Sequence, residues 1–92
     1  MQLGKIVQHV VSTKKNEKLT GCKLLIVQMI KDGKLTDQYT VAIDSVGAGV
    51  GEVVIVATGS AARIGTDREA APIDAAIVGI IDEPDSVLVN KA

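Results

Sequence analysis

Between Val41 and Arg63 the chain carries two β-branched apolar runs hinged on Gly47, Gly49 and Gly51. Glycine has no Cβ, so at these alternate positions the backbone can take positive φ angles or lie directly against another backbone. Such a hinge either grips a phosphate or packs against protein. A phosphate-binding loop places its glycines between a strand and a helix, because the helix N-terminus supplies the N–H groups and the positive end of the dipole. Here Glu52-Val53-Val54-Ile55-Val56 follows, a run that reads as a strand. Glu52 also sets a negative charge where a phosphate would sit, and no Lys-Ser or Lys-Thr pair comes after it. The hinge therefore reads as a tight strand-to-strand connection or a close contact with a neighbouring subunit, and no cofactor is expected.

Around this hinge the chain divides into short strands. Residues 3–11 carry Ile6, Val7, Val10 and Val11 among polar partners, and residues 23–30 form a second strand. In the second, Leu24, Leu25, Ile26 and Val27 are apolar in succession, as expected when both faces of a strand are covered, one by the core and one by a subunit contact. The polar segment between them, residues 12–18, is expected to be a solvated loop that closes at Thr20-Gly21. Asp32-Gly33 favours a tight hairpin turn and returns the chain into a third strand over residues 39–44. After the hinge come a fourth strand (52–57), a single helical turn with Ser60 as N-cap running through Ala61, Ala62 and Arg63, and a polar stretch from 65 to 72. A fifth strand spans 75–82, and Pro84 ends it or turns it towards a short last segment at 86–89. The pattern is mainly all-β. Five short strands and one brief helix suit a small barrel of the oligonucleotide-binding type, with a two-sheet sandwich as the alternative.

Composition bears on what holds such a barrel together. A chain of 92 residues makes one small domain and buries only about 60–65% of the surface its unfolded form exposes. Thirteen Val and ten Ile, against one Tyr and neither Phe nor Trp, give a core of small branched side chains. Each contributes only about 1.5–3 kcal/mol on full burial, and the larger payload of aromatic rings is missing. Burial between subunits would make up the difference, so an oligomer is expected. With a formal net charge of −1 and Tyr39 as the only base-stacking candidate, no nucleic-acid partner is expected. Nothing approaches the ~20 apolar residues of a membrane span, and the first residues lack the pattern of a signal peptide. One cysteine, Cys22, forms no intrachain disulfide and fits a reducing, cytosolic compartment.

Residues with chemical potential are few and scattered. His9 is the only histidine, and with a single distant cysteine it completes no zinc site, so no metal is expected. Cys22 has no base identified by motif and reads as a small, semi-buried apolar residue. Asp44 and Glu52 flank the hinge; capping of turn N–H groups, or contact with basic residues of a neighbour, is the reading preferred to an acid/base pair. Asp82, Glu83 and Asp85 around Pro84 read as a solvated turn, lacking the spacing of a calcium loop. Arg63 is placed to salt-bridge Asp44, Glu52 or Asp74 of its own or a neighbouring subunit. No nucleophile with a base and an orienting group is present in the pattern, so no catalytic residue is assigned. A barrel module for single-stranded nucleic acid and a small oligomeric enzyme remain the rival functions.

Several blocks of the chain, taken together, resemble the pentameric vertex proteins of bacterial microcompartment shells, the family found in carboxysomes and ethanolamine-utilization compartments. The matching residues are Ser12-Thr13-Lys14-Lys15, Leu19-Thr20-Gly21-Cys22-Lys23-Leu24-Leu25, the block from Val41 to Glu52, Gly59-Ser60-Ala61-Ala62-Arg63, and the block from Asp74 to Asp82. The glycine-rich block with its Glu52 is the most specific of these. Ala61 stands where the family often has a second serine. The resemblance implies that residues 1–92 form a single vertex-protein domain, an oligonucleotide-binding-type barrel assembled as a homopentameric ring. It implies a structural role at the corners of a polyhedral shell in the cytoplasm, beside hexameric shell proteins, with no catalysis, cofactor, nucleic acid or membrane. Asp44, Gly47, Ala48, Gly49, Gly51, Glu52 and Arg63 are expected at subunit contacts, and Gly59, Ser60 and Ala61 near the five-fold axis.

Overall fold

A computed structural model describes residues 1–10, 23–59 and 74–83. Five strands run through them: β1 (Gln2–His9), β2 (Lys23–Lys31), β3 (Lys34–Asp44), β4 (Val53–Thr58) and β5 (Ala75–Ile80). They close into a barrel in the order β1-β2-β3-β5-β4, with β4 returning to pair with β1. The sandwich is thereby set aside, and the mainly all-β barrel expected from the strand pattern is what the chain forms. Among the described residues there is no helix. The helical turn expected at 60–63, the loop at 12–18, Cys22 and the segment at 86–89 lie outside the described residues.

Strand boundaries fall within about two residues of those expected, β5 ending at Ile80 rather than at 82, except at the start of β3. Its first residues, 34–38, are polar apart from Leu35 and carry no β-branched run, so sequence pattern starts the strand at Tyr39. The ladder to β2 draws them in, with Lys31 opposite Lys34 and Ile30 opposite Leu35. A bulge between these pairs and Gln28–Tyr39 is held by side chains: the Thr36 hydroxyl donates to the Met29 carbonyl at 2.8 Å, and Gln28 Nε2 donates to the Thr36 carbonyl at 2.7 Å. At the tip, Asp32 and Gly33 have φ of +53° and +76°, the paired positive angles that a two-residue hairpin turn demands.

Inside the barrel Ile6, Leu25, Val27, Val54, Val56 and Ile77 are fully buried, and Met29 and Ile80 pack against them. Alternation along β2 sends Leu25 and Val27 inward and leaves Leu24 and Ile26 half-buried on the outer face. β1 lies against β2 at Gly4, where a Cβ would overlap the Val27 side chain and sit 3.1 Å from the Gln28 carbonyl oxygen. The seam between β3 and β5 is the narrowest, with only Ile43–Ala76 and Asp44–Ile77 in parallel register. Ser45 reinforces it: its hydroxyl donates to the Ile77 carbonyl at 2.6 Å.

Candidate functional site

Residues 45–52 leave the end of β3, cross the end of the barrel and enter β4. Two of the three hinge glycines are needed for their backbone angles, Gly47 at φ +80° and Gly51 at φ +94°, which branched residues rarely adopt. Gly49 differs. It has no positive φ, and a Cβ placed on it would meet only Glu52 Oε1, at 3.6 Å. The fold of the subunit therefore makes no demand for glycine at position 49.

The two carboxylates flanking the hinge serve as caps of its N–H groups. Asp44 Oδ1 accepts from the backbone N–H groups of Val46 and Gly47, both at 3.0 Å. Glu52 Oε1 accepts from the Gly49 N–H at 2.7 Å, while the Glu52 N–H donates to the Gly49 carbonyl at 3.2 Å. These are the roles that turn chemistry assigns to acidic side chains, and each of these oxygens is held by backbone N–H groups of the loop. Asp44, whose side chain is only 3% exposed, has the Lys23 ammonium 3.9 Å away across the β2–β3 ladder. Lys23 Nζ also donates to the Ala48 carbonyl at 3.2 Å.

Three further links fix the loop against the barrel. The Gly51 N–H donates to the Ile6 carbonyl at 2.8 Å, and the Ile6 N–H donates to the Glu52 carbonyl at 3.0 Å, so the loop continues the β1–β4 ladder. Ala48 is fully buried and belongs to the central core cluster. Its side chain thus plugs the end of its own barrel and has no accessible surface to offer a neighbour, although sequence placed it among the contact residues. What the loop does present outward is apolar: Val46 is 41% and Val50 55% exposed.

Of the other residues singled out from sequence, Gly59 ends β4 with φ +64° and an exposed backbone whose N–H donates to the Asp74 carbonyl at 2.9 Å. Ser60, Ala61 and Arg63 lie outside the described residues. Lys23 and Ser45 were not singled out. Each acts on a partner 25 or 32 residues away, a relation that only the strand register brings together. Among the described residues no three His, Cys, Asp or Glu side chains converge in a way that could hold a metal ion, and no buried side-chain nitrogen or oxygen lacks a hydrogen-bond partner. A shallow depression of about 240 Å³ lies at the other end of β2, lined by Gln2, Met29, Ile30, Lys31, Thr36 and Gln38, with Lys31 its one ionisable group.

Comparison with known proteins gives this geometry its context. The family signature described as "Ethanolamine utilisation protein EutN/carboxysome" matches residues 1–82. The chain is 50% identical over 88 residues to the bacterial microcompartment shell vertex protein GrpN of Rhodospirillum rubrum, covering 95% of this chain and 99% of that one. It is 52% identical over 83 residues to the carboxysome shell vertex protein CcmL of Synechocystis, covering 89% and 83% of the two chains. Among solved structures, the pentameric microcompartment shell protein GrpN from Rhodospirillum rubrum superimposes with a TM-score of 0.81 at 48% identity, covering 90% of this chain and 95% of that one. The CcmL of Gloeobacter violaceus superimposes with a TM-score of 0.83 at 44% identity, covering 89% and 86%.

Proposed function

The chain belongs to the EutN/CcmL family, and from that premise we propose that it is a structural shell protein that assembles as a homopentamer and caps the five-fold vertices of a polyhedral bacterial microcompartment in the cytoplasm. The observation that carries the proposal is the likeness, along nearly the whole chain, to a pentameric shell protein of the same barrel fold. Family membership also makes the chain a building block rather than an enzyme. Geometry explains why such a block is needed: a flat layer of hexagonal tiles cannot close, and a pentagonal unit introduces the curvature that seals a corner. The partners are then four further copies of the chain and the hexameric shell proteins around them.

In a cyclic ring the contacts are heterologous, one patch of each subunit meeting a different patch of the next. We assign residues 45–52 to one of these patches. Asp44 and Glu52 shape the loop, Gly47 and Gly51 supply its two positive φ angles, and Ala48 fastens it from within. Gly49 supports the assignment most directly, since its lack of a side chain serves nothing inside the subunit and suits close approach by another backbone. Arg63 is assigned to the same contact, and Gly59, with Ser60 and Ala61 next to it in sequence, to the opening on the axis.

Co-expression with hexameric shell tiles tests the function. Electron microscopy should show open sheets or tubes without this chain and closed polyhedra with it. Closed shells of equal number in both samples would remove the vertex role.

A further inference from the structure

A ring needs a second patch to receive the first, and the exposed apolar residues of the barrel indicate where it lies. Apart from Met1, Val7 and the loop residues Val46 and Val50, the large apolar side chains exposed among the described residues are Leu35, Tyr39 and Val41, all on β3. Strand register gathers two of them into one outward patch. Val41 stands opposite Ile26 of β2, which stands opposite Gln8 of β1. Tyr39 stands opposite Gln28, which stands opposite Lys5. The bulge between Ile6 and Gln8 shifts β1 by one residue and lets Gln8 join the outward row.

The result is an apolar cluster of Ile26, Tyr39 and Val41 beside polar Lys5, Gln8 and Gln28, the mixture of side chains found in protein–protein contacts. Tyr39 and Val41 are 57% and 49% exposed in the subunit. Tyrosine is among the residue types enriched where a few side chains dominate binding.

We propose that this outer face of β1–β2–β3 is the second patch of the ring, and that it is covered by the 45–52 loop of the next copy, with Val46 and Val50 against Tyr39 and Val41. The proposal rests on the homopentamer described above. A second copy is the occupant because the two exposed apolar groups lie on different parts of one subunit, the barrel end and the barrel side, as a heterologous contact requires. The patch also accounts for the unbroken apolar run of β2, whose Leu25 and Val27 fill the core while Ile26 faces out.

Tyr39 is the sole aromatic residue of the chain, so its fluorescence reports on this face alone. In the intact ring, acrylamide should quench it several-fold less than free tyrosine, and the protection should vanish under conditions that dissociate the ring. Val41→Glu should run as a monomer in native mass spectrometry with an unchanged far-UV spectrum, while Lys31→Glu at the hairpin tip should keep the wild-type mass. Free-tyrosine quenching in a sample whose mass shows a ring would overturn the proposal and assign the face to another partner, such as a neighbouring tile. A fully assembled Val41→Glu would overturn it as well. A wild-type chain that is itself monomeric would instead bring down the pentamer reading, so the two failures are told apart.

Discussion

Position 49 separates what the subunit needs from what the assembly needs. A Cβ placed there would meet only Glu52 Oε1, at an ordinary contact distance of 3.6 Å. Gly49→Leu should therefore leave thermal unfolding of the subunit within about 1 kcal/mol of wild type, as surface changes usually do, while abolishing the ring through overpacking at the contact. Native mass spectrometry distinguishes the outcomes, and normal assembly would refute the contact. Asp44 sits on the other side of that division. Its carboxylate accepts two N–H groups in a nearly buried setting, so Asp44→Ala should lose about 1–3 kcal/mol in chemical denaturation of the subunit. Asp44→Asn keeps an acceptor oxygen for the same N–H groups and should lose less. The capping roles of Asp44 and Glu52 were legible because they act over two or three residues of chain, within reach of turn chemistry. Ala48 was not: a lone small residue between glycines carries no periodic signal that tells a core plug from a contact.

Strand elements were legible wherever β-branched runs reach the core, as in β2, β4 and β5, and least so in the first half of β3. Residues 34–38 become strand because the β2 ladder and the Thr36 and Gln28 side-chain bonds hold a bulge there, and neither is a property of local composition. The glycine in β1 shows the same limit. A glycine inside a strand generally weakens it, yet a Cβ at Gly4 would overlap the Val27 side chain. Gly4→Ala should cost about 1–3 kcal/mol by overpacking, read as a lower midpoint in urea with an unchanged slope. An Ala variant as stable as wild type would mean that β1 can move outward without loss.

For the whole molecule, a small branched core without Phe or Trp, the one Tyr lying exposed on β3, makes subunit stability and assembly interdependent. Binding of folded copies to one another stabilises each by mass action, so the thermal midpoint should rise with protein concentration over a hundred-fold dilution series. A midpoint independent of concentration would place all of the stability within the single barrel. Barrel architecture and vertex family were both readable from the chain, the first from five strand-like runs with turn signals between them, the second from the glycine block and its neighbours in order. The order of the ring was not, because it depends on a small wedge angle between copies that no local residue pattern encodes. The central claim is that these strands and glycines press five copies of one polypeptide into a closed circle. The intact mass of the purified assembly tests it most directly: five 9.6 kDa subunits give about 48 kDa, and a monodisperse species at 9.6 kDa would contradict the account.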